Sequence, residues 1–299
     1  MVAARPLSPV LPTKSEKTLM SLPKLIGVYG GGRMGAGIAH AFLTAGTSVT
    51  IIESDDATAA AAEERAVRSL AKAVERGALS EPLEAVCERL HVATAVDALG
   101  GCGLVVEAVP ESAELKTAVL TAVEKVVPDA VLATNTSSLS VDGIATALAH
   151  PERFLGLHFF NPVPASELVE IVVGTRTSDA VADEAKGWVE ALSKTAITVT
   201  DSPGFASSRL GVALALEAMR MLESGVATAE DIDTAMTLGY KHPMGPLRTT
   251  DVVGLDVRLA IAEYLAREVG ARFEPPAILR DKVSAGSLGR KTGHGFYTW

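Results

Sequence analysis

The sequence predicts an α/β fold, in which a parallel sheet with crossover helices is followed by an all-helical domain. Three observations predict this fold class. Short apolar runs alternate with amphipathic stretches from residue 25 onward, as they do in βαβ units. A glycine-rich turn joins the first apolar run to the first amphipathic stretch. After residue 204 no strand-like run remains, and the pattern becomes helical.

The apolar runs predict the strands of the first domain. They span residues 25–29, 49–53, 104–109, 131–134, 155–160, 169–173 and 196–200. Between the first two runs, Met34, Ile38 and Ala41 recur at helical spacing, so we predict a helix with one apolar face there. A further helix is predicted over residues 178–192, between the last two runs.

The second domain is predicted from helical signals alone. Residues 207–222 are apolar on nearly every side, which is typical of a helix buried on more than one side. Thr228 and Asp231 resemble a capping box that opens the next helix. Apolar residues at helical spacing predict another helix over residues 256–266.

Domain boundaries follow from these changes of pattern. Residues 1–22 contain three prolines and no periodicity, which predicts a flexible leader. The α/β domain then spans residues 23–203 and the helical domain residues 204–299. At roughly 150 residues per domain, a length of 299 residues suggests two domains.

Composition excludes several classes of protein. Lys and Arg total 27 against 36 for Asp and Glu, and the net charge of -9 disfavours a nucleic-acid partner. No apolar run reaches the roughly 18 residues of a membrane-spanning helix, so we expect no membrane segment. Cys87 and Cys102 belong to no disulfide or metal-ligand pattern. We therefore expect a cytoplasmic protein without a metal site.

The glycine-rich turn is the first chemical signal. Gly30, Gly32 and Gly35, with Arg33 and Met34 between the last two, satisfy the pattern G-x-G-x-x-G. In a chain with 26 glycines the pattern alone is weak, but here it follows a predicted strand and opens a predicted helix. Such a turn brings the helix N-terminus close to a pyrophosphate. The first domain is therefore predicted to be a Rossmann-like dinucleotide-binding domain.

Glu53 indicates which dinucleotide is bound. It ends the second predicted strand, about 20 residues after the turn, where an acid accepts hydrogen bonds from ribose hydroxyls. A 2′-phosphate there would meet the negative charges of Glu53, Asp55 and Asp56, so NAD is favoured over NADP. The alternative is a solvated acidic strand end beside an ordinary turn.

His158 and Glu170 are a candidate base and its carboxylate partner. His158 lies near the carboxyl end of a predicted strand, the edge where α/β sheets bind ligands. Glu170 lies within an apolar run, where an unpaired carboxylate would be costly. If the two strands fold back through the prolines between them, these residues face each other, and such a pair makes a general base. Alternatively, His158 is a satisfied core residue, and the polar loop around Ser137 has no special role.

Seven segments together resemble the L-3-hydroxyacyl-CoA dehydrogenases, a family that includes 3-hydroxybutyryl-CoA dehydrogenases. The resemblance runs from about residue 23 to residue 299. The segments are residues 30–35, 106–111, 135–139, 157–164, 201–205, 244–246 and 289–293. It implies NAD-dependent oxidation of (3S)-hydroxyacyl-CoA to 3-ketoacyl-CoA, as in β-oxidation, and a homodimer formed through the helical domain.

The resemblance also implies roles for individual residues. By position, His158 corresponds to the catalytic base, Glu170 to its acidic partner, and Ser137 to a serine that binds the substrate 3-oxygen, with help from Asn161. Residues implied to line the cofactor site are Glu111, Lys116, Ser137, Asn161 and Lys291. Residues implied to contact the acyl-CoA are Ser69, Arg76, Ser137 and Ser208.

A basic helical face supports the implied CoA contact. Arg65, Arg68, Ser69, Lys72 and Arg76 recur at three- and four-residue steps, so they share one face and could meet the CoA phosphates. The alternative is a solvated face balanced by three nearby glutamates.

The chain departs from the family at two positions. Ser208 stands where the family usually has a substrate-contacting asparagine, and its shorter hydroxyl puts in doubt how the thioester is positioned. Glu53 stands where aspartate is common, which keeps the charge.

Two other functions remain open at this point. A sugar-acid dehydrogenase similar to L-gulonate dehydrogenases would need no basic face for CoA. A non-catalytic NAD-binding protein, such as a lens crystallin, would keep the glycine turn without the pair of a histidine base and its carboxylate. The sequence does not indicate the acyl-chain length, although we expect a short chain such as 3-hydroxybutyryl.

Overall fold

A computed structural model describes residues 21–79 and 81–299 of the chain. The predicted leader lies outside the described residues except for Ser21 and Leu22, and Leu22 packs against the main core. The described part contains an α/β unit, followed from residue 207 by helices only, apart from isolated bridges in the tail. The predicted fold class is therefore confirmed.

In the part of the chain that the structure describes, eight strands form one sheet. The strands are β1 (Leu25–Tyr29), β2 (Ser48–Ile52), β3 (Leu90–Ala93), β4 (Leu104–Glu107), β5 (Val131–Thr134), β6 (Phe154–Phe159), β7 (Leu168–Val173) and β8 (Thr195–Thr200). Their order is β3-β2-β1-β4-β5-β6-β7-β8. Only β6 and β7 pair antiparallel, and every other pair of neighbours is parallel. The order reverses between β1 and β4, which creates a crevice at their carboxyl ends.

Within residues 21–79 and 81–203, six α-helices belong to the α/β unit. They are α1 (Arg33–Thr44), α2 (Asp56–Glu75), α3 (Leu83–Cys87), α4 (Ala113–Val126), α5 (Val141–Ala145) and α6 (Asp179–Ala191). Polar side chains begin four of them, since Asp55, Ser112, Ser140 and Ser178 each accept a hydrogen bond from a first-turn amide. Helices α1, α2 and α6 pack on one face of the sheet, and α4 and α5 pack on the other. Both faces of the central strands are therefore buried.

The helical domain has its own apolar core. Its helices are α7 (Ser207–Glu223), α8 (Ala229–Thr234), α9 (Pro246–Val253), α10 (Leu255–Glu268) and α11 (Ala277–Ser284). A π-helical turn, Ala235–Gly239, continues α8. The core of this domain joins buried residues of α7, α8, α9, α10 and α11. Among the described residues, no helix has the length and apolar character needed to cross a membrane.

Two predictions about elements differ from the structure. Strand β3 has no counterpart among the predicted strands; it is an edge strand with half-buried and exposed side chains, so its apolar signal is weak. Helix α7 was expected to be buried on more than one side, but it buries one face, and Leu210 is 70% exposed.

Candidate active site

The glycine-rich turn lies at the carboxyl end of β1 and requires its glycines for two physical reasons. Gly30 has a φ of +95°, a conformation that favours glycine. A Cβ atom at Gly35 would lie 1.8 Å from the Gly30 carbonyl oxygen, so α1 packs against the turn only because no side chain is there. A Cβ at Gly32 would meet nothing within 4 Å. The turn therefore leaves open space in front of the α1 N-terminus, as a bound pyrophosphate requires.

Glu53 lies beside this turn. Its Oε1 atom accepts a hydrogen bond of 2.6 Å from the Gly31 amide, which fixes a half-buried carboxylate at the end of β2. On the other side, the Arg65 guanidinium donates to the Gly31 carbonyl at 3.3 Å. The acid thus stands where a ribose would follow a pyrophosphate held by the turn, and this arrangement fits NAD.

A buried ion pair supports the loop after β4. Glu107 is fully buried and accepts hydrogen bonds from Lys116 Nζ at 2.8 Å, Thr134 Oγ1 at 2.7 Å and the Val109 amide at 2.7 Å. Burial raises the pKa of Glu107 above its ordinary value, although the Lys116 charge and the hydrogen bonds act in the opposite direction. Sequence analysis did not single out Glu107, because a glutamate at the end of a strand carries no motif of its own.

Lys116 also connects this pair to Glu111. Its ammonium lies 3.3 Å from Glu111 Oε2, while Glu111 Oε1 accepts bonds from Thr136 Oγ1 at 2.6 Å and the Ser137 amide at 2.9 Å. Lys116 is 1% exposed, so its charge is committed to these two carboxylates. The network therefore fixes the loop that carries Ser137 relative to the loop that carries Glu111.

A cleft of about 420 Å³ separates the α/β unit from the helical domain. The α/β unit lines it with Met34, Glu111, Lys116, Asn135 and Ser137, among others. Helix α10 lines the opposite wall with Val257, Ala260, Ile261, Tyr264 and Arg267. The wall at the carboxyl ends of the strands thus carries polar side chains among apolar ones, and the α10 wall is mostly apolar.

His158 and Glu170 face each other across β6 and β7. They are directly opposed in the antiparallel register, and His158 Nδ1 lies 2.7 Å from Glu170 Oε2. Both side chains are buried, with 7% and 0% exposure. Phe160 and Phe205 pack near the imidazole, with ring centroids at 4.5 and 5.9 Å. Among the described residues, no protein group forms a hydrogen bond with the second ring nitrogen, Nε2.

The start of α7 completes the surroundings of Glu170. The carboxylate accepts bonds from the Ser207 hydroxyl at 2.5 Å, the Ser207 amide at 2.9 Å and the Ala206 amide at 3.3 Å. Burial alone would raise the pKa of Glu170, but the bonds from His158 and Ser207 outweigh it, so the pKa is lowered. Glu170 is therefore a stable carboxylate. Ser207 was missed in the sequence, because its contact spans 37 residues and two domains.

The basic face of α2 lines a second depression, a groove of about 600 Å³. Its other walls are α1 and the loop after β6. The residues that line it include Arg33, His40, Arg65, Arg68, Ser69, Lys72, Arg76, Pro162 and Pro164. We call this depression the basic groove. Ser69 Oγ lies 3.0 Å from His40 Nδ1 inside it. Burial, with a smaller effect from the Lys194 charge, lowers the pKa of His40 to about 4, so this ring is neutral near pH 7.

The structure brings most of the candidate residues to one edge of the sheet but leaves some apart. Asn161 is exposed on the loop between His158 and the prolines of the basic groove. Lys291 is not among the cleft residues; its ammonium lies 2.6 Å from both oxygens of Asp256, at the start of α10. His158 does not line the cleft either, but Asn135, which does, accepts a bond from the Phe159 amide at 2.9 Å. Ser208 follows Ser207 at the first turn of α7.

Two domain families together match nearly all of the described residues. Residues 25–202 match the 3-hydroxyacyl-CoA dehydrogenase NAD-binding domain, and residues 204–299 match the C-terminal domain of the same enzymes. The chain belongs to the 3-hydroxyacyl-CoA dehydrogenase family. It is an NAD-dependent oxidoreductase, and the resemblance noted in the sequence is confirmed.

Individual relatives agree with this family assignment. A 3-hydroxybutyryl-CoA dehydrogenase of Mycobacterium tuberculosis is 42% identical over 279 residues, covering 92% of this chain and 98% of the relative. The mitochondrial hydroxyacyl-coenzyme A dehydrogenase of Homo sapiens is 36% identical, covering 96% and 95%. Among solved structures, M. tuberculosis FadB2 matches with a TM-score of 0.89 and 41% identity, covering 93% of this chain and 100% of that one. The (S)-3-hydroxybutyryl-CoA dehydrogenase PaaH1 of Ralstonia eutropha matches with a TM-score of 0.87 and 36% identity, covering 92% and 99%.

Proposed function

We propose that the chain oxidises (3S)-3-hydroxyacyl-CoA to 3-ketoacyl-CoA with NAD, using His158 and Glu170 as a general base pair. The short-chain substrate 3-hydroxybutyryl-CoA is the proposed representative, in keeping with the names of several relatives. The observation that carries this proposal is the buried contact of 2.7 Å between His158 Nδ1 and Glu170. It engages one ring nitrogen with a carboxylate and leaves Nε2 as the proton acceptor.

The pair supplies the proton transfer of this reaction. In oxidation, the neutral ring takes the proton of the 3-hydroxyl group at Nε2, and the Glu170 carboxylate stabilises the cation that forms. In reduction, the protonated ring polarises the ketone and returns the proton to its oxygen. Bound NAD supplies the hydride acceptor, and NADH the donor. No side-chain nucleophile is required.

Other candidate residues are proposed to position the reactants. Ser137, held by the bond from its amide to Glu111, would fix the substrate 3-oxygen, with Asn161 in a supporting role. Glu111 and Lys116 would form the polar wall beside the cofactor, with Lys116 acting through Glu111. The Gly30–Gly35 turn, including the amides of Arg33 and Met34, would hold the pyrophosphate, and Glu53 the adenosine ribose. Lys291 would reach this site only by leaving Asp256.

The basic groove is the proposed site for the CoA portion. It is lined by five Arg and Lys side chains and opens beside Pro162 and Pro164, which follow His158 closely in the chain. A CoA molecule held there by its phosphates would direct its thioester toward His158. Ser69 and Arg76 lie within this groove, whereas Ser208 lies on α7, where it would face the thioester. The groove favours a CoA ester over a free sugar acid. The contact between His158 and Glu170 favours an enzyme over a non-catalytic NAD-binding protein.

The activity is tested by NADH oxidation with 3-ketoacyl-CoA esters of increasing chain length and with a free 3-keto acid. We expect turnover of acetoacetyl-CoA and none of the free acid. Replacing His158 by alanine should lower kcat by about 10²–10⁴ while NAD binding persists, because the fold of the glycine turn does not depend on the ring. Near-normal turnover in that variant would exclude the base assignment, and preference for the free acid would favour the sugar-acid alternative.

We further propose that two copies associate through the helical domain. Leu210, Leu214 and Met244 line an apolar depression of about 280 Å³ whose rim includes the exposed Leu210. At its floor lies Arg258, which is 9% exposed. Among the described residues its Nε has no hydrogen-bond partner, and burial lowers its pKa to about 10. A second copy of this acidic chain would cover the apolar surface and supply a carboxylate to Arg258.

A cytoplasmic location is the last part of this proposal. The two cysteines are free thiols, Cys102 buried and Cys87 half-buried. Burial raises the pKa of Cys102 to about 11, so it is an inert thiol rather than a reactive one. Free structural thiols fit a reducing compartment.

A further inference from the structure

The carboxylate of Glu170 is shared between the imidazole and the helical domain. Its Oε2 atom accepts two short hydrogen bonds, from His158 Nδ1 at 2.7 Å and from Ser207 Oγ at 2.5 Å. Its Oε1 atom accepts the two backbone amides of Ala206 and Ser207. Three of the four donors therefore come from the first turn of α7, which belongs to a different domain from His158.

Ser207 competes with His158 for the same oxygen atom. A hydroxyl that donates to Oε2 withdraws negative charge from it, so less charge remains to stabilise a proton on the ring. The two backbone amides act on the other oxygen and anchor the carboxylate. Removal of the hydroxyl would therefore leave the carboxylate anchored and make it a stronger acceptor for the ring.

The geometry points to Ser207 as a positioning residue that limits the basicity of the His158–Glu170 pair by sharing Glu170 Oε2. This inference rests on the proposed function, in which that pair moves the proton. Ser207 does not touch the reacting atoms in this assignment and acts through Glu170 alone. Its effect couples proton transfer to the position of the helical domain, because the hydroxyl reaches Oε2 only when α7 is docked on β7.

The turn before α7 is built for this docking. Gly204 and Phe205 have φ values of +73° and +51°, so the chain reverses sharply before the helix begins. Phe205 is buried, and its ring lies 5.9 Å from the imidazole. The same turn is tied to the α/β unit by Asp201, which accepts bonds from Ser140 Oγ and the Asp142 amide, both at 2.8 Å. This reversal of the chain thus places Phe205 beside the His158 ring and Ser207 beside the Glu170 carboxylate.

The surroundings of the pair contain few other charges. Within the described residues, the main influences on the pKa of Glu170 are burial, which raises it, and the bonds from His158 and Ser207, which lower it. The rings packed against His158 are the uncharged Phe160 and Phe205. Opposite Glu170 on the next strand is Ile197. A change at Ser207 therefore acts on Glu170 and, through it, on His158.

The experiment compares Ser207→Ala with Ser207→Thr, which keeps the hydroxyl. The control is Ser224→Ala, which removes a serine hydroxyl at the opposite end of α7, where it binds the Arg220 carbonyl. The pH dependence of kcat/KM is measured in both directions with acetoacetyl-CoA and 3-hydroxybutyryl-CoA. In Ser207→Ala we expect the acid limb of oxidation and the alkaline limb of reduction to move upward together by about 0.5–1 pH unit. The threonine variant and the control should stay at the wild-type positions.

Opposite results would overturn the assignment. A purely structural role for Ser207 would lower the melting temperature or kcat without moving the limbs, and loss of the His158–Glu170 contact would move them downward. If Ser207→Ala does not fold, Ser207→Cys, whose thiol is a weaker donor, should give a smaller upward movement, and no movement there refutes the inference.

A second measurement separates this inference from the proposed function. The ring of His158 in protein with isotope-labelled histidine is titrated by NMR, without substrate, in wild type and Ser207→Ala. An upward movement of its titration in an enzyme that turns over no 3-ketoacyl-CoA would support the role of Ser207 and refute the proposed activity. Turnover with an unmoved titration would support the activity and refute the role of Ser207.

Discussion

At the scale of single residues, the candidate site depends on buried charges that have partners. Glu170 and Glu107 are both fully buried, yet burial raises the pKa of Glu107 overall, whereas hydrogen bonds from His158 and Ser207 lower that of Glu170. The difference fits their proposed roles, since Glu170 must remain an anion beside a ring that gains a proton. Glu107 and Lys116 instead hold two loops together. Breaking such a pair on one side typically costs about 3–5 kcal/mol.

His40 gives a residue-scale prediction about stability and pH. Its pKa is about 4 in the folded protein and 6.5 in the unfolded chain, so the unfolded chain binds more protons between these values. The free energy of unfolding should therefore fall as the pH drops from 6.5 toward 4. Between pH 7 and pH 5 this contribution amounts to about 2 kcal/mol. His40→Gln should remove that part of the pH dependence, as measured by urea unfolding at both pH values.

The control for this prediction is His91→Gln. His91 is exposed on the edge strand β3, so solvent rather than protein surrounds its ring. For each protein, the free energy of unfolding at pH 5 is subtracted from that at pH 7. A loss of packing that acts equally at the two pH values cancels in this difference. Equal differences for wild type and His40→Gln would contradict the burial of a neutral ring at the basic groove.

At the scale of elements, helix α2 is expected to set the affinity for CoA. Lys72→Glu combined with Arg76→Glu reverses two charges of the basic groove, and CoA phosphates should then be repelled. We expect KM for acetoacetyl-CoA to rise tenfold or more, equivalent to about 1.4 kcal/mol, with little change in kcat. The KM for the corresponding pantetheine thioester, which lacks the nucleotide phosphates, should not change. Steady-state kinetics at two salt concentrations checks both statements.

A matched control reverses two charges elsewhere. Lys125→Glu with Lys186→Glu changes the net charge equally. Lys125 is exposed on α4, Lys186 is half-buried on α6, and neither lines the groove. An equal rise of KM in this control would mean that the total charge of the protein acts, and that α2 has no special role in binding CoA.

The elements also show what the sequence could and could not predict. The central parallel strands were predictable because they are buried on both faces and therefore mostly apolar, and the opposition of His158 and Glu170 followed from the short antiparallel connection between β6 and β7. Strand β3 was missed because it has only four residues and includes the exposed His91, so it lacks a clear apolar run. Ser207 and Asp251 were missed because their contacts join distant segments. Buried Asp251 accepts hydrogen bonds from the amides of Phe296 and Tyr297 at 2.8 Å. No local sequence pattern indicates these contacts, which hold the C-terminal tail.

At the scale of the whole molecule, the two units meet at the candidate site. The α/β unit supplies the glycine turn, Ser137 and His158, and the helical domain supplies the apolar wall of α10 and the donors to Glu170. Neither unit alone contains the complete cleft. The orientation between the units is therefore part of the proposed chemistry, and anything that fixes the helical domain in place supports it.

Association of two copies would hold the helical domain in place, and a substitution of Leu210 tests whether the two copies associate. This side chain is 70% exposed at the rim of the apolar depression. Leu210→Asp should place a charge in the proposed interface and give a monomer in size-exclusion chromatography with light scattering, where wild type runs as a dimer. Leu115→Asp, a 40% exposed leucine on α4 of the α/β unit, should leave the dimer intact. A wild-type monomer, or a dimer that survives Leu210→Asp, would contradict this interface.

A substitution of Arg258 tests the same interface, because a covered and an uncovered depression predict different effects on association and on the melting temperature. If a carboxylate of the second copy pairs with its guanidinium, Arg258→Met leaves that carboxylate buried and unpaired, and the dimer should weaken by about 3–5 kcal/mol. If nothing covers the depression, the same substitution removes an unpaired buried charge and should raise the melting temperature of the protein. Dissociation measured by dilution, together with the melting temperature, distinguishes these outcomes. We expect weaker association, because a guanidinium with an unsatisfied Nε is stable in this position only with an anion above it.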